Sequence, residues 1–209
     1  MQVSVTTIKK SLKKRLDASR YDHTMGVAYT SICLAMKYDV DLYKAEVAGL
    51  LHDCAKCIPD NTKIAKCQKY NISITDIEYD NPSLLHAKLG AFYAMNKYGI
   101  ADMEIINAIL NHTTGKPAMT MLEKIVYVAD YIEPRRTKAP NLTQIRKLAF
   151  EDIDLAVFKI MEGTIAFVEE RNLPMDKITE LAYDYYKKLY HEEKGDLDES
   201  IERNGETSL

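Results

Sequence analysis

The spacing of apolar residues constrains the fold of this chain more than any other feature of its sequence. Apolar residues recur at i, i+3 and i+4 in almost every segment, and alternation of period two is limited to a few residues around Ile72 and Ile74. The first pattern places apolar side chains on one face of a helix, so the sequence predicts an all-α protein. We predict helices at roughly 4–19, 23–38, 42–54, 62–70, 83–98, 102–112, 121–132, 142–150, 152–171 and 175–194.

The length of the chain, 209 residues, is enough for one compact domain with its own hydrophobic core. No repeat or linker divides the sequence, so we predict a single-domain helical bundle over residues 1–194. Residues 195–209 form an acidic tail with few large apolar side chains, and this composition predicts disorder.

The net charge of the chain gives no support for a nucleic-acid or membrane partner. The sequence holds 28 basic and 31 acidic residues, a net charge of −3, which favours neither a nucleic-acid partner nor a membrane surface. No apolar run approaches the roughly 20 residues that would cross a bilayer, and the first residues do not have the pattern of a secretory signal. With four cysteines and no such segment, we expect a reducing cytoplasm.

Ionisable side chains on the apolar helix faces point to a functional site. His52 and Asp53 stand at the polar end of the apolar run Val47–Leu51. Three more histidines and one aspartate lie in segments that read as amphipathic helices: His23, which we predict to open its helix, and His86, His112 and Asp130. An unpaired buried carboxylate or imidazolium costs several kcal/mol, so a shared divalent cation would give all these groups a partner.

Imidazole nitrogens combined with carboxylate oxygens suit borderline divalent metals such as Fe, Mn, Co or Zn. Because the candidate ligands are spread over the sequence, only the folded bundle can bring them together. Each residue alone has an ordinary explanation, since a lone histidine on an apolar face is more often a hydrogen-bonded core residue. The remaining histidine, His191, lies in a polar run and is interpreted as a surface residue.

The order of these residues, H…HD…H…H…D, resembles that of the HD-domain metal-dependent phosphohydrolases. The flanking sequences are similar to the YqeK family of symmetrical diadenosine tetraphosphate hydrolases, over about residues 8 to 190. Five segments carry this resemblance: Arg20–Val27, Ala48–Lys56, Leu85–Ala91, Asn111–Gly115 and Ala129–Arg136. One departure is Arg135, where the family usually has glycine, and the role of Arg135 is therefore left open.

The resemblance implies an iron centre that cleaves the polyphosphate bridge of a dinucleoside tetraphosphate into two nucleoside diphosphates. The implied metal ligands are His23, His52, Asp53 and Asp130, and Asp53, His86 and His112 are the implied catalytic residues. Four protein ligands on a six-coordinate ion leave room for water and a phosphate oxygen. One ion is favoured, two remain an alternative, and Mn, Co or Zn could replace iron.

The other polar residues of these segments are candidates for binding a nucleotide substrate. Arg20, Lys56 and Arg136 would neutralise phosphate oxygens, and Thr113 would add a hydroxyl or backbone donor. His86 and His112 have two candidate roles: they contact phosphate and protonate the leaving group, which we favour, or they hold a second metal beside the first.

Other functions remain open at this point. The same ligands would serve a nucleotidase or a phosphodiesterase acting on another nucleotide, and a nucleotide-binding sensor would use the same residues without turnover. An exposed apolar helix face would also permit a homodimer.

Overall fold

The computed structural model describes the backbone of residues 3–205 and the side chains of residues 3–191. This part of the chain is helical and contains no strand, as the apolar spacing predicts. Its helices are α1 (Val5–Lys13), α2 (Ala18–Lys37), α3 (Leu42–Leu51), α4 (Asp60–Lys69), α5 (Asp76–Asp80), a 3-10 turn (Pro82–Leu84), α6 (Leu85–Asn96), α7 (Met103–Asn111), α8 (Met121–Ile132), α9 (Leu142–Glu151), α10 (Ile153–Glu170) and α11 (Lys177–Gly205). None of these helices is both long and apolar enough to pass through a membrane.

The boundary between the first two helices differs from the prediction. The first helix ends at Lys13 instead of residue 19. The carboxylate of Asp17 then accepts a hydrogen bond from the backbone N–H of Arg20, at 2.8 Å, and so caps α2. His23 therefore lies in the second turn of α2 and does not open the helix. Apolar spacing continues across this boundary, which is why periodicity alone missed it.

Two other differences concern short or terminal segments. The helix α5 was not predicted, because five residues are too few for periodicity to detect; a capping box between Thr75 and Glu78 fixes it. The helix α3 ends at Leu51 instead of residue 54, and the chain then turns over residues 52–57. His52 and Asp53 consequently lie just after the end of α3, where their side chains can extend beyond the hydrophobic core.

The core of the bundle is built around α2, α3 and α8. Helix α2 packs along α3 and α8, α7 packs between α6 and α8, and α10 covers α8, α9 and α11. Val27, Leu50, Ile109 and Val126, one from each of α2, α3, α7 and α8, are fully buried. These are the same four helices that carry or adjoin the site residues His23, His52, His112 and Asp130.

A glycine allows the two central helices to approach closely. A Cβ atom at Gly49 would lie 2.8 Å from the Cα atom of Ala28, closer than such atoms pack. Only glycine therefore permits this contact between α3 and α2. The close approach brings the end of α3, with His52, beside the turn of α2 that holds His23.

The last helix packs on the bundle through tyrosines. Tyr186 is buried and its hydroxyl accepts a hydrogen bond from the backbone N–H of Met119, at 3.1 Å. Phe158 stacks against Tyr183 and Tyr190. The backbone of 195–205 continues this helix. The side chains after His191 and the whole of 206–209 lie outside the described residues. The disorder that we predict for the tail 195–209 therefore stays a prediction.

Candidate metal centre

The predicted ligands converge at one place in the bundle. The Nε2 atom of His23 lies 3.1 Å from Oδ1 of Asp130 and 3.8 Å from Oδ2 of Asp53. The Nε2 atom of His52 lies 3.4 Å from the same oxygen of Asp53. The other oxygen, Oδ1, lies 3.2 Å from Nε2 of His86 and 3.7 Å from that of His112. The carboxylate of Asp53 is thus the centre of the group.

Five separate segments of the chain supply these side chains. His23 comes from α2, His52 and Asp53 follow α3, and His86 begins α6. His112 follows α7, and Asp130 lies near the end of α8. Two groups of three have ligand atoms within 4.8 Å of one another: His23, His52 and Asp130, and His52, Asp53 and His112.

Three of the four histidines are oriented by the backbone turn that precedes them. In each, the Nδ1 atom lies within hydrogen-bonding distance of the carbonyl oxygen three residues earlier: Gly49 for His52 (2.7 Å), Ser83 for His86 (2.5 Å) and Ile109 for His112 (2.7 Å). A carbonyl oxygen can only accept, so Nδ1 carries the proton and donates it. The Nε2 atom of each ring therefore presents a lone pair to the centre of the site.

The fourth histidine is oriented by a glutamate that the sequence analysis did not single out. The Nδ1 atom of His23 lies 3.2 Å from Oε1 of Glu133, whose side chain is buried. A Cβ atom at Gly26 would lie 2.5 Å from Oε2 of Glu133, so this glycine leaves the space that the glutamate occupies. Glu133 directly follows the last residue of α8, three residues after Asp130, and this short spacing is the sequence signal that could have identified it.

The surroundings of two nitrogen atoms indicate whether these residues suit a metal ion. The Nε2 atoms of His23 and His52 are buried and have no hydrogen-bond partner of suitable geometry within residues 3–191. Their nearest polar neighbours are the carboxylates of Asp130 and Asp53, which also can only accept. Lone pairs that face each other in a buried space repel, and a cation between them would satisfy both. The site therefore fits a divalent ion.

A second part of the site surrounds the pair His86 and His112. Their Nε2 atoms lie 3.1 Å apart, and the hydroxyl of Thr113 lies 3.2 and 3.1 Å from them. The Nζ atom of Lys56 lies 3.4 Å from Nε2 of His86. These four side chains form a polar wall beside Asp53.

The electrostatics of the site favour ionised carboxylates and neutral bases. Burial acts to raise the pKa of Asp53, but the neighbouring imidazoles of His52, His112 and His86 hold it well below its ordinary value. Burial likewise acts on Asp130, whose pKa is lowered by His23 and His52. Burial lowers the pKa of His86 to about 4 and also lowers that of Lys56, although Asp53 opposes both shifts. The carboxylates are thus negative and ready to bind a cation.

Two arginines neutralise the carboxylates in this structure. Arg20 donates from Nη1 to Oδ2 of Asp53 at 2.7 Å, and Arg136 donates from Nη2 to Oδ1 of Asp130 at 2.9 Å. Arg135 instead pairs with Asp22 at the surface, with its side chain 64% exposed. Both adjacent arginines line the cavity beside the site, but only Arg136 pairs with a candidate metal-ligand carboxylate.

A cavity of about 680 Å³ opens from the metal-ligand side of the site. Arg20, His23 and Arg136 line its inner end, and Tyr131 and Phe167 line its outer part. Such a volume is within the range of about 300–1,000 Å³ that is typical of small-molecule sites. A phosphate chain entering here would meet the arginines beside the two carboxylates.

Comparison with known proteins agrees with this geometry. The family model described as HD domain matches residues 20–135. A crystal structure titled "predicted HD superfamily hydrolase involved in NAD metabolism", from Clostridium acetobutylicum, superimposes with a TM-score of 0.86 at 38% identity, covering 90% of this chain and 100% of that one. The chain therefore belongs to the HD domain family, and an HD domain implies a divalent metal ion.

Comparison with curated relatives identifies the branch of the HD domain family to which the chain belongs. The chain is 39% identical to a symmetrical bis(5'-nucleosyl)-tetraphosphatase of Bacillus subtilis, over 83% of this chain and 92% of that protein. A protein with the same name from Halalkalibacterium halodurans is 40% identical over 78% of this chain and 87% of that protein. Another, from Staphylococcus aureus, is 33% identical over 88% of this chain and 95% of that protein. Within the HD domain family, the chain belongs with these symmetrical tetraphosphatases, the YqeK family.

Proposed function

We propose that this protein hydrolyses diadenosine tetraphosphate symmetrically, consuming one water molecule and releasing two molecules of ADP. The observation that carries the proposal is the convergence of four histidines on the carboxylate of Asp53, with Asp130 beside one of them, His23. The names of the curated relatives support the choice of substrate.

The metal ligands in this proposal are His23, His52, Asp53 and Asp130, and the ion is iron. The facing lone pairs of the two histidines and two carboxylates support this set. Nitrogen and oxygen donors are compatible with Fe, Mn, Co or Zn, so the choice of iron rests on the family resemblance. When bound, the ion supplies Lewis acidity and activates water for attack at neutral pH.

His86, His112, Thr113 and Lys56 bind the phosphate beside the scissile bond. The two Nε2 atoms and the hydroxyl of Thr113 lie within 3.2 Å of one another, and Nζ of Lys56 lies 3.4 Å from Nε2 of His86, which supports a common target for these groups. After the P–O bond breaks, the departing phosphate oxygen needs a proton or a positive charge, and this wall can provide either. In the alternative role, the two histidines together with Asp53 would hold a second ion.

Arg20 and Arg136 bind the remaining phosphate oxygens. Each now pairs with a metal-ligand carboxylate. A cation that binds those carboxylates would compensate their charge, and the planar guanidinium groups could then form paired hydrogen bonds to phosphate. The position of both arginines at the inner end of the 680 Å³ cavity supports this role.

The direct test is to incubate the metal-loaded protein with diadenosine tetraphosphate and to separate the products. We expect ADP as the only nucleotide product, whereas AMP together with ATP would contradict symmetric cleavage. Asp53→Asn should abolish turnover, and the matched control Asp184→Asn, at an exposed position of α11, should retain it. Circular dichroism of both variants verifies that they fold. A panel of nucleoside monophosphates and cyclic nucleotides tests the alternative activities.

Location and assembly complete the proposal. The four cysteines are free thiols, which supports a reducing cytoplasm. Leu173, Ile178 and Leu181 are large apolar residues of the last helix and the segment before it, and all are exposed. They support a homodimer, which light scattering of the purified protein would detect.

A further inference from the structure

A second cavity, of about 650 Å³, lies between the turn that follows α3, the helix α4 and the C-terminal half of α6. We call it the α4–α6 cavity. Cys54 and Tyr98 are buried within its lining, and Tyr70 and Phe92 are partly buried there. None of the histidines of the metal centre lines it, so it is distinct from the site described above.

The side chains that line this cavity carry a net positive charge. Three of the described residues that line it, Arg15, Lys66 and Lys97, are basic and none is acidic. The neighbouring carboxylate of Asp17 is engaged at the rim, where it caps α2 and accepts from the thiol of Cys57 at 3.3 Å. Burial lowers the pKa of Lys97, and the charges of Arg15 and Lys66 lower it further. Because the three cations line one cavity, an anion bound there would relieve the repulsion between them.

An aromatic surface lies beside these cations. The rings of Tyr70 and Phe92 stack with centroids 4.4 Å apart and an interplanar angle of 18°. The Nζ atom of Lys97 lies 5.4 Å from the ring centre of Tyr93 and 5.9 Å from that of Tyr98. The outer face of this stacked pair is an aromatic surface on which a further planar ring could stack, and with the cations nearby it suits a ligand that has a planar ring at one end and phosphate at the other.

We propose that the α4–α6 cavity is a second binding site, which takes a nucleoside phosphate. Arg15, Lys66 and Lys97 bind its phosphate oxygens, and its base packs against the surface formed by Tyr70 and Phe92. The volume is within the range of about 300–1,000 Å³ that is typical of small-molecule sites and suits a mononucleotide. The choice of ADP as the probe rests on the proposed function, because ADP is the product of that reaction. The proposal that the cavity binds a nucleoside phosphate does not rest on that function.

The test is calorimetric titration of the metal-loaded protein with ADP. We expect two molecules to bind per chain, one at the metal centre and one in the α4–α6 cavity. The double variant Lys66→Ala/Lys97→Ala should retain the first and bind the second at least ten-fold more weakly. Lys10→Ala, an exposed lysine of α1, is the matched control and should bind both. Unchanged binding by the double variant would overturn the proposal.

A second measurement separates a nucleotide from a simple phosphate ion. The variant Tyr70→Leu should weaken ADP binding in the cavity about ten-fold, because stacking on the ring is lost, and should leave inorganic pyrophosphate binding unchanged. Equal binding of pyrophosphate and ADP by the unaltered protein would refute the base contact.

Parallel assays keep the two proposals distinguishable. If diadenosine tetraphosphate is not cleaved but Lys66→Ala/Lys97→Ala still loses one ADP, the proposed function is wrong and the cavity stands. If cleavage is symmetric but the double variant binds ADP as the parent does, the cavity proposal is wrong and the function stands. A thermal melt of each variant verifies that the comparison is between folded proteins.

Discussion

The Nε2 atoms of His86 and His112 face each other at 3.1 Å, while the Nδ1 atom of each ring is held by a backbone carbonyl. Both Nδ1 atoms are donors, so in the neutral rings both Nε2 atoms are acceptors. Such a contact is stable only with a proton or another positive group between the rings or beside them. Lys56 and Thr113 already lie there, and a phosphate-bound proton or a second metal ion would serve equally.

Metal removal should destabilise the protein. Treatment with a chelator is expected to lower the melting temperature by several degrees, because an ion that binds only the folded chain stabilises it by mass action. Returning Fe(II) or Mn(II) under anaerobic conditions should restore the original value. Metal analysis of the same samples counts the ions: one per chain favours phosphate contact by His86 and His112, and two favour the second-metal role. A melting temperature indifferent to both treatments would refute the metal centre.

Glu133→Gln should weaken metal binding without unfolding the protein. The carboxylate of Glu133 fixes the ring of His23 from behind, and loss of such a partner typically weakens metal affinity about 10- to 100-fold. Competition with a chromophoric chelator measures the affinity. Glu170→Gln, at an exposed position near the end of α10, is the control and should bind metal as the parent does.

Gly26→Ala should separate helix stability from metal affinity. Alanine favours a helix interior by roughly 0.5–1 kcal/mol relative to glycine. At Gly26, however, the added Cβ would lie 2.5 Å from Oε2 of Glu133 and would displace that side chain. We expect weaker metal binding here. At Gly163, where no heavy atom lies within 4 Å of the added Cβ, the same substitution should raise the stability and leave metal affinity unchanged; equal behaviour at both glycines would contradict the prediction.

Arg136→Ala should raise the KM for the nucleotide substrate at least ten-fold, because hydrogen bonds between charged groups contribute about 1.5–3 kcal/mol each. Arg135 lines the same cavity but pairs with Asp22 and not with a metal-ligand carboxylate, so Arg135→Ala should raise the KM less than Arg136→Ala does. Steady-state kinetics of the two variants make the comparison. The reverse order would assign the substrate contact to Arg135.

Tyr186→Phe should lower the free energy of unfolding by about 1–3 kcal/mol, since it leaves the backbone N–H of Met119 buried without an acceptor. Urea denaturation measures the change. Tyr185→Phe, at a position that is 40% exposed, should have little effect. Similar losses in both variants would show that the hydroxyl of Tyr186 contributes no specific hydrogen bond.

Much of the fold followed from local patterns. The spacing of apolar residues predicts all the long helices, and the pair Thr120 and Glu123 has the spacing of the capping box that begins α8. The break between Lys13 and Ala18 was not predicted, because the apolar spacing runs across it and the cap by Asp17 depends on one side chain. The helix α5 was missed for a related reason, since it is barely longer than one turn.

The sequence by itself determined which chemical groups this protein brings to its site: imidazoles and carboxylates on helix faces that have to be buried, in an order that resembles one family. Only the tertiary structure decided how these groups meet. The close contact of α2 and α3 at Gly49, the support of His23 by Glu133 and the pairing of Arg136 with Asp130 join residues from different helices or depend on how the chain turns. The same holds for the α4–α6 cavity, whose three cations come from separate segments. The physical reason is that periodicity reports which face of a helix is buried, whereas the partners of that face are set by packing between helices.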